Sequence, residues 1–272
     1  MTKQFECIKI EKDAGITWLI LNRPEKRNAM SPTLHFEMNE ALGELALDEE
    51  TKVLIITGAG EAFSAGQDIK LYFRETENDP VKKAAAQQAS NNWRWHKLVH
   101  FPKPTIAMIN GYCFGGAFTQ VCAVDIAIAA DEATFGLSEV NWGVIPGGIV
   151  SWNIAELLNH RDAMFYAMTG LPFDGKKAAE IKLVNYSVPL AQLREETMKI
   201  AKVLLDKNPA VLRATKEAVR TVRGMTHDQA QQYLAAKLTA LTATDKDKGM
   251  QKGMNQFLDD KSYRPGFGAF KN

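Results

Sequence analysis

The sequence has few of the features that mark disulfide frameworks, zinc sites and membrane proteins. Only three of its 272 residues are cysteine, and Cys7, Cys113 and Cys122 lack CxxC spacing. An odd number of cysteines in or near apolar runs argues against a disulfide framework or a zinc site and predicts reduced core thiols. No apolar run is long enough to span a bilayer, and the N-terminus carries no hydrophobic signal region. We therefore expect a cytoplasmic protein without a membrane partner.

The sequence also lacks an excess of charge of either sign. Its 33 lysines and arginines balance 32 aspartates and glutamates, which leaves a net charge of +1. This balance provides no field that would attract a polyanion, so we expect no nucleic-acid partner. With 46% hydrophobic and 24% charged residues the chain is neither fibrous nor disordered, and its length allows one large domain with or without a smaller addition.

Apolar runs rich in β-branched residues alternate with helical patterns along most of the chain. These runs predict buried strands at residues 16–21, 53–57, 105–109 and 125–129. Between the first two strands, Ser31 can cap a helix that begins at Pro32 and ends at residue 47. An aromatic helix over residues 93–99 follows a polar segment, residues 75–89, that we expect to be the most mobile region. Buried strands separated by helices predict an α/β fold.

The character of the sequence changes near Lys207. Pro209 opens a long helical stretch, and residues 226–242 and 246–258 continue it with few strand signals. We therefore predict a core over residues 1–206, which holds the functional site, and a helical C-terminal subdomain over residues 207–272.

Three short patterns partly match known site motifs, and each lacks one residue that its motif requires. A GxG turn begins at Gly58 but has Phe63 where a dinucleotide-binding turn needs its third glycine. A serine motif further along has Val140 where a nucleophile elbow needs glycine. His96 and His100 are spaced like zinc ligands but have no glutamate between them. We predict no metal site and no serine-hydrolase centre.

Two glycine-rich turns, residues 62–69 and 110–117, each follow a predicted buried strand. Their small residues allow the backbone to approach a ligand closely, and the second turn leads into an apolar helix over residues 118–124. Together the turns could place one N–H each on the same oxygen, which would stabilise the enolate of a thioester. The alternative is that the glycines serve only the close packing of strand and helix.

One acidic residue stands out in an apolar segment. Glu139 is surrounded in sequence by Leu, Val, Trp and Pro. Apolar surroundings disfavour the ionised carboxylate, so we expect the pKa of Glu139 to be raised toward the range useful for proton transfer. The alternative is a salt-bridged or exposed glutamate in a loop.

Five spaced motifs occur in order along nearly the whole chain: LNRPEKRNAMS, AFSAGQDI, NGYCFGGAFTQ, FGLSEVNWGVIPGG and LVNYSVP. In this combination the sequence resembles the crotonase superfamily of enoyl-CoA hydratases and isomerases. The longer strings NRPEKRNAMSPTL, DEATFGLSE, SVPLAQLRE and MNQFLDDKS resemble its hydroxycinnamoyl-CoA hydratase-lyase branch most closely. The resemblance implies a spiral of repeated ββα units with a helical C-terminal trimerisation region.

The resemblance implies roles for four catalytic residues. The backbone N–H groups of Gln67 and Gly116 would form an oxyanion hole, and Glu139 matches the superfamily's second catalytic glutamate. Where an ordinary hydratase carries another glutamate, this chain has Thr119. A hydroxyl is scarcely ionised at neutral pH, so Thr119 would position water or a β-hydroxyl rather than act as the base.

Further residues are implied to bind the acyl group. Tyr72 matches a tyrosine that contacts the 4-hydroxyl of the substrate in the lyases, and the other predicted substrate contacts are Ser138, Trp142, Gly147 and Tyr233. The lyases have a second phenol-contacting tyrosine on a C-terminal helix, and the matching position here is Ala235. Tyr233 lies about 200° around a helix from that position, so it does not simply replace the missing tyrosine.

Coenzyme A is implied as part of the substrate, with no tightly bound cofactor. Lys26 and Arg27 would contact its phosphates, and the backbone of Ala65, Gln67 and Ile69 would surround adenine and pantetheine. Phe257 and Lys261 would close the nucleotide site from an adjacent subunit. The resemblance implies self-association as a homotrimer or a dimer of trimers.

The reaction implied is hydration of a 4-hydroxycinnamoyl-type CoA thioester, followed by retro-aldol cleavage to an aromatic aldehyde and acetyl-CoA. One alternative is an enoyl-CoA hydratase or isomerase that acts on aliphatic chains. Thr119 and Tyr72 argue against this alternative, whereas Ala235 leaves it open. A different class is an RNA-binding relative of the superfamily, which the even charge balance does little to favour.

Overall fold

The computed structural model describes residues 4–264, 266 and 268–270. The strands are β1 (Ile8–Asp13), β2 (Ile16–Leu21), β3 (Val53–Gly58), β4 (Ala62–Ser64), β5 (Thr105–Ile109), β6 (Tyr112–Phe114), β7 (Ile126–Ala130), β8 (Thr134–Gly136), β9 (Phe173–Asp174) and β10 (Tyr186–Val188). The α-helices are α1 (Pro32–Leu47), α2 (Pro80–Asn91), α3 (Ala117–Ala123), α4 (Val150–Leu157), α5 (His160–Thr169), α6 (Gly175–Glu180), α7 (Leu190–Leu205), α8 (Pro209–Thr221), α9 (His227–Thr244) and α10 (Gly249–Leu258). Short 3-10 or π-helical segments occupy Pro24–Lys26, Ile69–Arg74, Asn92–Lys97, Ser138–Trp142 and Val222–Gly224.

The strands form a large and a small sheet. The large sheet has the order β1-β2-β3-β5-β7-β10, in which β1 is antiparallel to β2 and the other neighbours are parallel. The small sheet has the order β4-β6-β8-β9, in which β9 is antiparallel to β8. In the pairs β3/β4, β5/β6 and β7/β8, the first strand joins the large sheet and the second joins the small one, and a helix follows. The predicted α/β class and the spiral of ββα units are therefore confirmed.

The strands predicted from β-branched runs are β2, β3, β5 and β7, each within one residue of the expected bounds. β3 is buried along its whole length, because other elements cover both faces of the sheet. The predicted start of α1 is also confirmed. Oγ of Ser31 accepts a hydrogen bond from the N–H of Leu34 at 3.2 Å, and Pro32 is the first helical residue.

The helix predicted over residues 93–99 begins much earlier than expected. It starts at Pro80 as α2 and passes without a break into π-helical turns at Asn92–Lys97. Most of the polar segment that we expected to be mobile is thus helical, capped by Asp79, whose Oδ1 accepts from the N–H of Lys82 at 3.0 Å. Its polar composition concealed the helix, because the apolar side chains that it buries are only the small Ala86 and Ala89.

Helices α8, α9 and α10 follow the last strand, so the C-terminal region is helical as predicted. Asp125 connects α8 to the core through ion pairs with Lys216 at 2.8 Å and Arg220 at 2.9 Å. Residues 1–3 of the predicted core and residues 265, 267, 271 and 272 of the predicted subdomain lie outside the described residues.

The three cysteines are free thiols, and Cys7 and Cys113 are buried, as the sequence predicted. Over residues 4–264, 266 and 268–270, no helix is both long and apolar enough to cross a bilayer.

Candidate active site

Three turns meet at the carboxyl ends of neighbouring parallel strands in the small sheet. β6 lies between β4 and β8 and is parallel to both. The chain leaves the ends of these strands at residues 65, 115 and 137. Ligands of parallel sheets commonly bind at this edge. The fold therefore brings the two glycine turns and the segment of Glu139 to one place.

Backbone hydrogen bonds fix Gln67 in the first turn. The N–H of Met30 donates to the carbonyl of Gly66 at 2.8 Å, and the N–H of Asp68 donates to the carbonyl of Met30 at 3.1 Å. These two bonds pair Met30 with Gln67 as in a parallel sheet, so the N–H of Gln67 points away from Met30. Asp68 is held in addition by an ion pair with Arg23 at 2.9 Å.

The second turn lies directly against the first. Gly115 has a φ of +52°, and its N–H donates to the carbonyl of Gly136 at 2.9 Å. A Cβ on Gly66, which has a φ of +90°, would lie 2.7 Å from the carbonyl oxygen of Phe114 and 3.6 Å from the nitrogen of Gly116. Only glycine fits such an approach of two backbones.

Gln67 and Gly116 each keep a backbone N–H that donates to no protein acceptor among the residues the structure describes. The two residues are adjacent, because a Cβ on Gly116 would lie 3.5 Å from Cγ of Gln67. Free N–H groups on two adjacent residues of this kind can donate to the same ligand oxygen. The structure thus brings together the pair predicted to form an oxyanion hole.

The carboxylate of Glu139 lies against the second glycine turn. A Cβ on Gly115 would be 3.2 Å from Oε1 of Glu139, and Oε2 is buried without a hydrogen-bond partner among the described residues. Burial raises the pKa of Glu139, an effect that its own backbone N–H partly opposes. The predicted direction of the shift is confirmed, and the described residues include no ion-pair partner for Glu139. Such a carboxylate is suited to taking up and returning a proton.

Thr119 lies on α3, three residues after Gly116, and its side chain is buried. Its Oγ1 has no hydrogen-bond partner among the described residues. A buried hydroxyl without a partner is costly, by about 1 to 3 kcal/mol. The hydroxyl of Thr119 can therefore bind a water molecule or a substrate hydroxyl that supplies the missing partner.

A chain of hydrogen bonds connects Gln67 to the helix that covers the site. Nε1 of Trp93 donates to Nδ1 of His35 at 2.8 Å, Nε2 of His35 bonds Oε1 of Gln67 at 2.7 Å, and Nε2 of Gln67 donates to Oγ of Ser90 at 3.3 Å. Indole can only donate, so the proton of the imidazole resides on Nε2. Burial and the charge of Arg94 lower the pKa of His35 to about 3, which keeps the imidazole neutral.

Tyr72 lies on the π-helical segment Ile69–Arg74, beside this chain of hydrogen bonds. Its ring packs edge-on against His35 with centroids 5.3 Å apart. Burial raises the pKa of Tyr72, while a hydrogen bond with Ser90 and the charge of Arg94 act in the opposite direction. The hydroxyl is therefore protonated at neutral pH and can donate to a ligand.

The sequence pattern of the enoyl-CoA hydratase/isomerase family matches residues 11–265. The chain belongs to the enoyl-CoA hydratase/isomerase family. Hydroxycinnamoyl-CoA hydratase-lyase of Pseudomonas fluorescens is 51% identical over 269 residues, which cover 98% of each chain. Carnitinyl-CoA dehydratase of Escherichia coli K12 is 32% identical over 232 residues, 84% of this chain and 86% of that protein. The crystal structure of enoyl-CoA hydratase from Bacillus anthracis, 26% identical, has a TM-score of 0.85 and covers 94% of this chain and 97% of that chain.

In this enoyl-CoA hydratase/isomerase family member, the residues predicted to hold coenzyme A lie at the surface beside the first glycine turn. Lys26 is exposed and has no ion-pair partner in the described part of the chain. Arg27 pairs with Glu61 at 2.9 Å, and its carbonyl accepts the N–H of Ala65 at 2.8 Å. Ile69 is about half exposed. Lys26 is thus the freer of the two predicted phosphate contacts.

The predicted substrate contacts that follow Glu139 form an open wall. Ser138 is half-buried, and Trp142 is 65% exposed. A Cβ on Gly147 would lie 3.7 Å from the carbonyl oxygen of Ile145 and within 4 Å of no other described residue outside its chain neighbours. An exposed apolar loop beside a buried carboxylate is suited to covering an apolar acyl group.

Of the residues predicted from the C-terminal region, Tyr233 and Phe257 lie on its helices and Lys261 follows the end of α10. The hydroxyl of Tyr233 is 3.4 Å from Oγ1 of Thr221, whereas Ala235, Phe257 and Lys261 are exposed. Among the described residues, no hydrogen bond or ion pair joins any of them to Glu139, Gln67 or Tyr72. Their roles stay predictions.

Sequence reasoning missed His35 and Arg94, two buried side chains at the site. Both lie on helices, where single polar residues are usually solvent-exposed. The signal that could have revealed Arg94 is its place between Trp93 and Trp95, since an arginine within an aromatic run is not on a polar face.

Proposed function

We propose that the chain hydrates a 4-hydroxycinnamoyl-type CoA thioester, such as feruloyl-CoA, p-coumaroyl-CoA or caffeoyl-CoA, and then cleaves it by a retro-aldol step. The products are an aromatic aldehyde, vanillin in the case of feruloyl-CoA, and acetyl-CoA. One observation carries the proposal: a single carboxylate, Glu139, lies against the turn that holds Gly116, and position 119 supplies a hydroxyl instead of a second carboxylate. The 51% identity to hydroxycinnamoyl-CoA hydratase-lyase supports the same reaction.

In the first step Glu139 takes a proton from water as the water oxygen attacks the β-carbon of the aryl-propenoyl thioester. The electron pair of the double bond moves to the thioester oxygen, which accepts hydrogen bonds from the N–H groups of Gln67 and Gly116. Glu139 returns the proton to the α-carbon, which completes the hydration. Thr119 positions the water and then the new β-hydroxyl.

In the second step Glu139 removes the proton of the β-hydroxyl. The Cα–Cβ bond breaks as the β-carbonyl of the aldehyde forms, and its electron pair moves onto the thioester as the enolate of acetyl-CoA. The N–H groups of Gln67 and Gly116 hold this enolate until its carbon is protonated. One site serves both steps, because both place negative charge on the same thioester oxygen.

Coenzyme A takes part as the carrier of the acyl group, without a tightly bound cofactor. Lys26 and Arg27 contact its phosphates by charge-assisted hydrogen bonds. The backbone of Ala65, Gln67 and Ile69 lines adenine and pantetheine. The exposure of Lys26 and the hydrogen bond between Ala65 and Arg27 support this placement. The three free thiols, two of them buried, support a cytoplasmic location.

We further propose that the chain forms a homotrimer or a dimer of trimers through its C-terminal helices. These helices expose large apolar side chains, among them Val219, Leu238, Met250 and Leu258. Tyr233, Phe257 and Lys261 would then reach the site of an adjacent subunit. Light scattering should give three or six times the chain mass of 30.2 kDa, and a monomer would contradict this assembly.

The test of the reaction is to incubate the purified protein with feruloyl-CoA and, separately, with crotonyl-CoA. Chromatography follows the release of aldehyde and acetyl-CoA. We expect vanillin and acetyl-CoA in equal amounts from feruloyl-CoA and little turnover of crotonyl-CoA. Hydration of crotonyl-CoA without cleavage of feruloyl-CoA would show an aliphatic enoyl-CoA hydratase instead.

A further inference from the structure

Arg94 is a buried cation beside the active site. Its side chain is 3% exposed, and it lies in the π-helical turns at Asn92–Lys97. No carboxylate among the described residues forms an ion pair with it. π-helical turns inside helices frequently occur at functional sites. Tyr72, the predicted phenol contact, lies on another π-helical segment.

The hydrogen bonds of Arg94 leave one end of the guanidinium free. Nε donates to the carbonyl of Ser90 at 3.3 Å, and Nη1 donates to the carbonyl of Gly116 at 3.0 Å. Nη2 donates to no acceptor in the described part of the chain, although Arg94 is buried. The free end of the guanidinium therefore lacks a hydrogen-bond partner that a ligand could supply.

The neighbours of Arg94 place that free end beside the exposed loop of predicted substrate contacts that follows Glu139. A Cβ on Gly148, in the exposed loop after Glu139, would lie 3.3 Å from Nη2, and a Cβ on Gly116 would lie 2.9 Å from Nη1. The guanidinium thus extends from the second glycine turn, which holds Gly116, to this loop. Its charge also acts on Tyr72.

Burying a guanidinium without a negative partner is unfavourable. Buried charges in proteins are normally paired or fully hydrogen-bonded. The unfavourable burial lowers the pKa of Arg94 to about 10, which still leaves it charged at neutral pH. A structural arginine normally has a carboxylate partner or a full set of hydrogen bonds, whereas among the described residues Arg94 has two carbonyl acceptors and leaves Nη2 without one. This arrangement is suited to an anion supplied by the substrate.

We propose that Arg94 is a specificity-determining residue that binds the 4-oxygen of the substrate ring as a phenolate. This inference rests on the proposed function and names the residue, and the charge state of the ring oxygen, by which the site selects a ring with a free 4-hydroxyl. Arg94 and Tyr72 together form the phenol site. Arg94 thus supplies the second contact to the ring oxygen that the tyrosine missing at Ala235 would make. A ring with a 4-methoxy group cannot ionise, so it cannot form the charged hydrogen bond with Nη2.

The test uses the absorption of bound p-coumaroyl-CoA, because a phenolate absorbs at longer wavelength than a phenol. The ligand is added at neutral pH to Glu139→Gln protein, in which turnover is blocked. We expect the phenolate band in Glu139→Gln and its loss in Glu139→Gln/Arg94→Gln. Arg94→Lys, which keeps the charge, should retain part of the band, and Arg74→Gln, which removes an exposed arginine nearby, should retain all of it.

Kinetics on otherwise unmodified protein provide the second measurement. Arg94→Gln should lower kcat/KM for p-coumaroyl-CoA by about 10- to 100-fold, since hydrogen bonds to charged groups are worth that factor. It should lower kcat/KM for 4-methoxycinnamoyl-CoA much less, since only the hydrogen bond from Nη1 to the carbonyl of Gly116 is lost there. Arg74→Gln should match the unmodified protein on both substrates.

A neutral phenol bound to Glu139→Gln protein would overturn the inference, and this measurement does not depend on whether Arg94→Gln folds. An unchanged band after loss of Arg94 would overturn it as well. Cleavage of feruloyl-CoA by unmodified protein together with either result would leave the proposed function intact. A phenolate band that depends on Arg94 without any cleavage would instead support the anion site and contradict the lyase activity.

Discussion

Nε2 of His35 lies 2.7 Å from Oε1 of Gln67 and, as the protonated nitrogen of the imidazole, donates to it. The indole N–H of Trp93 donates to Nδ1 of His35 at 2.8 Å, so Nδ1 is an acceptor and the proton of the neutral ring is on Nε2. His35 therefore orients the side chain of the residue whose backbone N–H faces the site. It acts on the reaction only by positioning Gln67, since its pKa of about 3 keeps it neutral.

We predict that His35 makes folding stability depend on pH. The unfolded chain binds a proton at His35 near pH 6.5 and the folded protein only near pH 3, so unfolding takes up a proton between these values. The contribution of His35 to stability is thus lost as the pH falls from about 6.5 toward 3, by about 1.4 kcal/mol per pH unit. The measurement is urea unfolding at pH 7, 6 and 5 for the wild type and His35→Asn.

The matched control is His100→Asn, because His100 is exposed. The difference in unfolding free energy between the wild type and His35→Asn should shrink with falling pH. The same difference for His100→Asn should change much less. Parallel curves for the wild type and His35→Asn would mean that His35 binds its proton as readily in the folded protein as in the unfolded chain.

Glu139→Gln should abolish both hydration and cleavage. The amide keeps the size of the carboxylate but cannot take up the proton, and a positioned acid or base contributes about 10²- to 10⁴-fold. Single-turnover assays with feruloyl-CoA, together with binding of the same ligand, check this. Glu77→Gln, an exposed glutamate, is the control. Surviving cleavage in Glu139→Gln would rule out a mechanism with one base.

Gly115→Ala should lower activity more than stability. The new Cβ would lie 3.2 Å from Oε1 of Glu139 and at a φ of +52°, where alanine is strained by about 1 to 2 kcal/mol. Displacement of the carboxylate should reduce kcat by about tenfold or more. Gly224→Ala is the control, because no atom of the described residues would lie within 4 Å of its Cβ. Equal kcat values for Gly115→Ala and the wild type would mean that the position of Glu139 is not critical.

Tyr72→Phe should impair 4-hydroxylated substrates selectively. Loss of the hydrogen bond to the 4-oxygen, which we propose to bind as a phenolate, should lower kcat/KM for feruloyl-CoA by about 10- to 100-fold. Cinnamoyl-CoA lacks the ring hydroxyl and should react with the mutant and the wild type at similar rates. Comparison of kcat/KM for the two thioesters checks this, and an equal loss on both would reduce Tyr72 to a packing role.

The sequence allowed the framework of the fold to be predicted, because β2, β3, β5 and β7 are apolar on both faces and Ser31 and Pro32 mark the start of α1. β1 was missed, since its outward residues are charged and it lies at the sheet edge. The start of α2 was missed because only small alanines face the core. These elements depend on what packs beside them, which a single sequence does not contain.

The residues around the thioester could be predicted from the sequence better than those around the substrate ring. Glycine turns and an acidic residue in an apolar segment identified Gly116 and Glu139, because those residue types are unusual in their local context. Arg94 and His35 are ordinary helix residues in sequence. Their importance comes from burial by the fold, which places Arg94 against Gly116 and His35 against Gln67.

The most direct test of the two-step reaction is to convert feruloyl-CoA in D₂O and to count the deuterons in the methyl group of acetyl-CoA by mass spectrometry. Hydration adds one solvent deuteron to the α-carbon, and protonation of the enolate after cleavage adds another. We predict acetyl-CoA with two deuterons and one equivalent of vanillin. A hydrated thioester with one deuteron that persists without vanillin would contradict the proposal that this site cleaves what it hydrates.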